Sequence, residues 1–369
     1  MLSDNTYRFP AIKGIMAHHE YYVVMCPMKL IPKIFTFDEP PIPPSLRAQR
    51  VLNKARIPEI RDYILKNRSS YFFSSITASV DSSVDFIPAC TSLNDSSIIG
   101  SLIIPMSSIL VINDGQHRRA AIEAALNYDS SLGEEYISVV LFVENNLVNN
   151  QQLFADLNKY AVKPTKSLSV LYDRRDPLSQ LTLELANNHF PFKDFTEFEK
   201  TTISNNSPEI FTLSAIYSAT AALLGRKKKE VTKISNKEKT LSISYWEGLA
   251  QVIPEWRNLK NKSVRANILR HNYVHVHAVT LHSLGILGKA LVEKYPRNWN
   301  NELLKLANVD WTRNNKSIWE GRAMNGGQMS RTRQNITLTA NYLKQHLGLS
   351  LTEEEKKLET KMNIKLERG

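Results

Sequence analysis

The chain has 369 residues, enough for two or three domains, and 47 Lys and Arg against 36 Asp and Glu give it a net charge of +11. This charge favours a polyanionic partner, nucleic acid or an acidic membrane surface, while the two cysteines exclude a disulfide scaffold and a zinc site built from cysteines. Neither an apolar run of ~20 residues nor a signal-peptide core is present, so we expect a cytoplasmic protein without a membrane partner.

The N-terminal half alternates strand and helix signals. In chain order, the residue pattern predicts a buried strand within 21–30 that stops at Pro27 and runs into a loop, and a proline-rich extended connector at 40–44. Helical periodicity follows within 45–67, with a break or a new helix start at Pro58, and further strands are predicted at 72–80, 98–104 and 136–143. This alternation indicates an α+β or α/β domain. Cys26 lies on the first of these strands, and two roles stay open for it: a reactive thiol near the site, or a buried structural cysteine.

Residues 109–126 combine a β-branched strand, a strong turn signal at 113–115 and an alanine-rich helix. Such a turn directs backbone N–H groups and the positive end of a helix dipole at an anion. Three groups in the first helical turn oppose this dipole when charged: His117, Arg118 and Arg119. The sequence therefore predicts a bound anion, with phosphate the natural candidate, or carboxylates that offset the charge; a surface helix with solvated arginines is the simpler alternative.

Residues 114–118, Asp-Gly-Gln-His-Arg, form the motif of the DGQHR-domain family. Segments 154–168 and 171–177 resemble the DndB family of DNA sulfur modification proteins, and the resemblance runs over most of the chain. It implies a bacterial protein of a DNA phosphorothioation system that binds DNA and represses the modification operon. It also implies a fold similar to ParB and sulfiredoxin, with the motif contacting phosphates; the phosphate- or nucleotide-binding residues are then Asp114, Gly115, Gln116, His117, Arg118 and Arg119.

The C-terminal half is mostly helical by its periodicity. Helices are predicted at 151–160, from an N-cap at Ser167, at 213–224 and at 335–347. Basic positions on its turns and glycine-broken loops are candidate DNA contacts: Lys163, Lys166, Arg174, Arg175, Arg226, Lys227, Lys228, Lys229, Arg322, Arg331 and Arg333. The alternatives are an Arg–Asp network at 173–176, solvated lysines after the 213–224 helix, and local carboxylates that stabilise the loop at 319–333.

Three histidines of this half share a helical face, but they lack accompanying carboxylate or thiol ligands, so no metal site is expected: His271, His275 and His282. We expect an α+β protein in which a ParB/sulfiredoxin-like mixed-sheet domain (1–165) precedes a mainly helical domain with basic loops (166–369). The function we expect is a non-enzymatic DNA-binding repressor of a phosphorothioation operon. Its partners would be promoter duplex DNA, other DNA sulfur modification proteins or a second copy of itself.

The rival hypothesis is a nucleotide-binding or nucleotide-hydrolysing enzyme of DNA sulfur modification, in which the motif holds ATP or CTP. No other cofactor is expected. The motif lacks the carboxylate that the ParB pattern has, because Gln116 and His117 stand there, and this argues against ParB-like hydrolysis. The missing carboxylate pair for Mg²⁺ favours binding over hydrolysis.

Overall fold

A computed structural model describes residues 5–36, 52–89, 91–92, 95–96, 98–144, 146–159, 163–226 and 233–367. The chain separates into two compact units, Met1–Val162 and Lys163–Gly369, each with its own hydrophobic core. The first unit combines a large sheet with helices, and the second is built around helices. The α+β class predicted from the sequence is confirmed.

The first unit contains a series of strands and four helices in its described part. The strands are β1 (Thr6–Met16), β2 (His19–Pro27), β3 (Phe35–Thr36), β4 (Ile76–Val80), β5 (Asp85–Pro88), β6 (Thr91–Ser92), β7 (Asp95–Ser96), β8 (Ile99–Pro105), β9 (Leu110–Asp114) and β10 (Tyr136–Val143). The helices are α1 (Ile31–Ile34), α2 (Ile57–Lys66), α3 (Gln116–Leu126) and α4 (Leu147–Lys159), with 3-10 turns at Lys54–Arg56 and Ser130–Glu134.

Eight of the described strands form one mixed sheet in the order β3-β9-β4-β10-β2-β1-β8-β5. The β4–β10 and β3–β9 pairs are parallel, and the other neighbours are antiparallel. Apolar side chains of β4, β9 and β10 pack with the buried face of α3, which contributes Ile122 and Ala125. This packing fixes the turn between β9 and α3 at the end of a strand inside the sheet.

Strand boundaries agree with the sequence where one face is clearly apolar. β10 has the predicted bounds, whereas β4 begins four residues later than predicted, at Ile76. Pro58 lies in the first turn of α2, a position where its missing N–H costs nothing. The connector at 40–44 and the start of the predicted 45–67 helix lie outside the described residues. β1, which pairs with both β2 and β8, is a strand that the sequence patterns did not indicate.

The second unit begins with α5 (Lys166–Tyr172), α6 (Pro177–Asn188), β11 (Thr196–Glu197), β12 (Phe211–Thr212) and α7 (Leu213–Leu223). It continues with α8 (Asn236–Val252), α9 (Pro254–Lys260), α10 (Ala266–Asn272), α11 (Ala278–Lys294), α12 (Trp299–Leu303) and a 3-10 turn at Leu304–Asn308. Its last elements are α13 (Lys316–Trp319), β13 (Met324–Asn325), β14 (Gln328–Met329), α14 (Arg333–His346) and α15 (Glu353–Glu367).

The core of the second unit is rich in large aromatic side chains. Trp246, Trp256 and Trp319 are fully buried, and edge-to-face contacts link the first two to Phe192 and Phe211. Predicted helix starts differ slightly from the observed ones: Thr165, rather than Ser167, caps α5 by accepting from the backbone N–H of Leu168. The helices in the described part of the chain are all too short or too polar to cross a membrane.

Candidate functional site

The turn between β9 and α3 requires glycine. Gly115 has φ +116°, and a Cβ added there would lie 3.0 Å from Cγ1 of Ile76 on the neighbouring strand. An L-residue would meet both an unfavourable backbone conformation and a packed side chain. Gly115 therefore lets the chain enter α3 directly from β9, as the sequence predicted.

No side chain in the described part of the protein caps the N-terminus of α3. Gly115 has no side chain to accept from the first turn, and that turn contains no acidic residue. The first backbone N–H groups of a helix have no acceptor within the helix itself, and no described side chain caps those of α3. Together with the helix dipole they form an anion-attracting surface.

The side chains of the motif bind other parts of the protein. Gln116 is buried and donates to the carbonyl of Ile112 at 3.1 Å, and Nε2 of His117 accepts from the backbone N–H of Asn53 at 3.1 Å. Arg118 donates to Asp114 and to Oγ of Ser74, both at 2.7 Å. These contacts orient the motif rather than leaving it unsupported.

Arg119 is held in the same way, by Glu123 and by the carbonyl of Pro32. Both arginines therefore have carboxylate partners four residues away: Arg118 pairs with Asp114 at the end of β9, and Arg119 pairs with Glu123 on α3. The sequence allowed either a bound anion or nearby carboxylates to offset the charge of these arginines, and the structure contains the carboxylates. An anion at this turn would bind the backbone N–H groups and add to contacts that Arg118 already makes.

A cavity of about 490 Å³ opens beside the turn. Besides the motif residues 114–118, its lining includes Arg56, Tyr63, Phe72 and Ser74. Arg56 is exposed, and Phe72 is 80% exposed, which is unusual for a phenylalanine and suits stacking on a base. The sequence did not connect these residues with the site, because they lie some 40 to 60 positions before the motif, in segments whose patterns predict only a helix and a strand.

Cys26 is fully buried on β2, opposite Ile137 of β10. Burial raises the pKa of its thiol to about 12, so the thiolate form is strongly disfavoured at neutral pH. The environment is that of a packed structural cysteine and gives no support to a reactive thiol. Cys90 lies outside the described residues.

The basic residues at the start of the second unit are exposed: Lys163, Lys166, Arg174 and Arg175. The neighbouring acids serve the backbone, since Asp173 accepts from the N–H of Arg175 and Asp176 caps α6. Arg226 differs, because its guanidinium pairs with Glu238 at 2.6 Å and is mostly buried. Lys227, Lys228 and Lys229 lie outside the described residues.

The loop at 319–333 contains the β13–β14 hairpin, and the carboxylate of Glu320 accepts hydrogen bonds from the turn of that hairpin. Gly326 and Gly327 have φ values of +58° and +73°, and both backbone N–H groups donate to Glu320. Arg322 forms a two-pronged ion pair with Glu359 at 2.9 and 2.8 Å, and each side chain is only 12% exposed. Local carboxylates therefore stabilise this loop, as one of the two interpretations of the sequence expected, and the guanidinium of Arg322 is engaged within the protein.

Arg331 and Arg333 follow that hairpin in the chain and are exposed where α14 begins. The histidines are dispersed: buried His275 accepts from Nε1 of Trp256 at 2.9 Å, and burial lowers the pKa of His282 to about 4. Among the described residues, no group of three or more histidines, cysteines or acids comes together to hold a metal ion.

A family model described as DndB, DNA-sulfur modification-associated, matches residues 9–350, nearly the whole chain. No curated protein and no solved structure matches significantly. The match spans both units, so it includes the strand-turn-helix motif and the basic positions of the second unit.

Proposed function

The chain belongs to the DndB family of DNA-sulfur modification-associated proteins, and from this premise we propose that it binds duplex DNA as a repressor of a phosphorothioation operon. The proposal includes a ParB/sulfiredoxin-like first unit, in which strand, glycine turn and helix present backbone N–H groups to a DNA phosphate. Promoter DNA, other DNA sulfur modification proteins and a second copy of the chain are the proposed partners, acting in the cytoplasm.

The observation that carries the proposal is the start of α3, which no described side chain caps, beside two arginines. Arg118 is fixed by Asp114 and Ser74, so it is already oriented when a phosphate arrives. Arg56 lines the same cavity and is exposed. A chain with a net charge of +11 attracts DNA over a distance, and these oriented donors supply the local contact.

The exposed ring of Phe72 favours the second candidate, a nucleotide such as ATP or CTP held in the same cavity. Bases within a duplex are already stacked on each other, whereas the base of a free nucleotide can stack on an aromatic side chain. A nucleotide would place its phosphates on the N–H groups of α3 and its base toward Phe72. The two candidates therefore use different residues of one cavity.

The test is a gel shift with promoter duplex and a scrambled duplex, with and without ATP or CTP. Arg56→Gln removes a proposed phosphate contact, and Lys54→Gln is the matched control, because Lys54 is exposed on the same 3-10 turn but does not line the cavity. We expect Arg56→Gln to weaken DNA binding about tenfold or more and Lys54→Gln to have little effect.

Phe72→Ala separates the candidates. If DNA is the ligand, this variant binds promoter DNA nearly as tightly as the parent protein does. If a nucleotide is the ligand, the variant binds ATP or CTP more weakly, and its DNA binding changes only to the extent that DNA binding depends on bound nucleotide. Repression itself is tested by transcription from the promoter with purified protein added. The repressor proposal would be wrong if the Arg56→Gln and Lys54→Gln variants bound DNA equally well and neither preferred promoter duplex over scrambled duplex.

A further inference from the structure

The second unit contains a cavity of about 620 Å³ with an unusual charge composition. Three arginines line it, Arg270, Arg313 and Arg331, and the described residues around it include no aspartate or glutamate. We call it the arginine cavity. Its volume is within the range of about 300–1,000 Å³ that is usual for small-molecule sites.

Arg270 is the innermost of the three arginines, with only 6% of its surface exposed. Its guanidinium donates to the backbone carbonyls of Ser204 and Ile203, at 3.1 and 3.0 Å, and to that of Ile210 at 3.0 Å. No carboxylate of the described chain pairs with it. Carbonyl oxygens satisfy its hydrogen bonds but leave its charge uncompensated, and a buried charge is costly unless an opposite charge is near.

Arg313 and Arg331 add to this charge. Arg313 donates to the carbonyl of Gly327 at 3.2 Å and points further donors at the carbonyls of Arg270 and His271. Arg331 forms no hydrogen bond or ion pair with any described residue, and it is accessible to solvent. Three like charges held around one cavity repel each other, so the arrangement is stabilised when an anion enters.

The N-terminus of α11 opens into the same cavity through Ala278 and Val279. This helix has 17 residues, and no described side chain caps its first turn, so within the described chain its leading N–H groups can donate to a ligand. His277 precedes it and is 8% exposed. Its Nε2 lies 3.0 Å from the carbonyl of Arg270, which can only accept, so Nε2 carries the proton.

The other nitrogen of His277, Nδ1, has no hydrogen-bond partner among the described residues. Burial and the charges of Arg270 and Arg313 lower the pKa of this histidine to about 3, so it is neutral and Nδ1 is an acceptor. An acceptor among so many donors selects a ligand that carries a hydroxyl as well as negative charge. A monoprotonated phosphate, or a phosphorylated sugar, has both.

We propose that the arginine cavity binds the phosphate group of a small phosphorylated molecule, with Arg331 and the N–H groups of α11 contacting the phosphate and His277 accepting from a hydroxyl. A small molecule is favoured over a DNA phosphodiester because two of the lining groups, Arg270 and His277, are more than nine-tenths buried. This site uses none of the residues that line the cavity beside the β9–α3 turn, so its test is independent of the proposed repressor function.

The test is calorimetric titration of the full chain with inorganic phosphate and with ATP, together with the shift in melting temperature that each ligand causes. Arg331→Gln is the main variant, because Arg331 makes no described contact that folding would lose. Arg297→Gln is the matched control, an exposed arginine of the same unit that does not line the cavity. We expect ligand binding to weaken about tenfold to a hundredfold in Arg331→Gln only.

The thermal measurement gives an independent readout. Bound ligand should raise the melting temperature of the parent protein and of Arg297→Gln, and this rise should be much smaller in Arg331→Gln. Absence of phosphate and ATP binding by the parent protein, or equal weakening in both variants, would overturn the proposal. It would equally be overturned if Arg331→Gln weakened the binding of duplex DNA alone, since Arg331 would then be a surface contact to the DNA backbone.

Discussion

Asp114 and Arg118 form an ion pair across the glycine turn, with Nη2 of the arginine 2.7 Å from Oδ2 of the aspartate. The pair spans Gly115 and joins the last residue of β9 to the first turn of α3. Arg118 is largely buried, whereas half of Asp114 is exposed. The carboxylate therefore offsets the charge of an arginine at a helix start, where the dipole alone would disfavour it.

Arg118→Ala should destabilise the protein. If a bound anion were the only partner of Arg118, the same substitution would leave the stability of the free protein nearly unchanged. The variant loses hydrogen bonds to Ser74, Asp114 and the carbonyl of Ser75. We expect the free energy of unfolding to fall by about 1–3 kcal/mol, measured by urea denaturation without DNA or nucleotide. An unchanged unfolding free energy would mean that these contacts add nothing and that an external anion is the partner of Arg118.

Gly115→Ala tests the turn. Its φ of +116° and the 3.0 Å approach to Ile76 should together cost about 2–3 kcal/mol of stability. Gly326→Ala is the control, because Gly326 also has a positive φ, +58°, but a Cβ there meets nothing within 4 Å. That change should cost only about 1 kcal/mol. Similar losses in both variants, compared by denaturant midpoints, would contradict the packing argument.

The strand-turn-helix motif was predictable because its signals are local. An apolar β-branched run, a turn signal and an alanine-rich segment occupy adjacent positions, and they correspond to β9, Gly115 and α3. β1 gave no such signal, since Pro10 and Gly14 interrupt its alternation, and its two sheet partners hold it in place. Tertiary pairing determines that strand, and no local pattern reports it.

The roles of the arginines were less predictable, because they depend on partners far along the chain. Arg322 resembles a loop arginine in the sequence, yet its partner Glu359 is 37 positions later, on α15. The arginine cavity likewise draws Arg270 and Arg313 from elements 43 positions apart, with Arg331 beyond the hairpin. A local sequence pattern cannot distinguish an exposed arginine from one that is buried against backbone carbonyls of distant residues.

Breaking the Arg322–Glu359 pair should be strongly destabilising. Glu359→Gln leaves the guanidinium buried without a carboxylate, which should cost about 3–5 kcal/mol of unfolding free energy. Replacing both partners, Arg322→Leu with Glu359→Leu, should cost less than Glu359→Gln alone, because no buried charge is left unpaired. Thermal and urea unfolding measure both. If the loss of unfolding free energy in the double variant equalled the sum of the losses in Arg322→Leu and in Glu359→Leu alone, the two residues would act independently.

Stability should fall as the pH drops below about 6.5. Burial, with a smaller contribution from Arg331, lowers the pKa of His282 from 6.5 to about 4, so between these values only the unfolded chain takes up the proton. Each such histidine lowers the unfolding free energy by about 1.4 kcal/mol per pH unit in that window, and the loss ends below the folded pKa. His282→Gln should therefore flatten the stability profile between pH 6 and 4.5; superimposable slopes would refute the assignment.

DNA binding should weaken steeply with salt, and the lysines that follow α7 should contribute to it. Each phosphate that a protein neutralises adds about 0.9 to the slope of log affinity against log salt concentration. Changing Lys227, Lys228 and Lys229 to Ala should reduce this slope and lower affinity for promoter and random duplex alike, because lysine contacts phosphate as a point charge. The control removes the same charge from α15, by changing Lys356, Lys357 and Lys361 to Ala. Equal losses in the two triple variants would mean that net charge alone attracts DNA, and a loss limited to promoter DNA would mean that the lysines read bases.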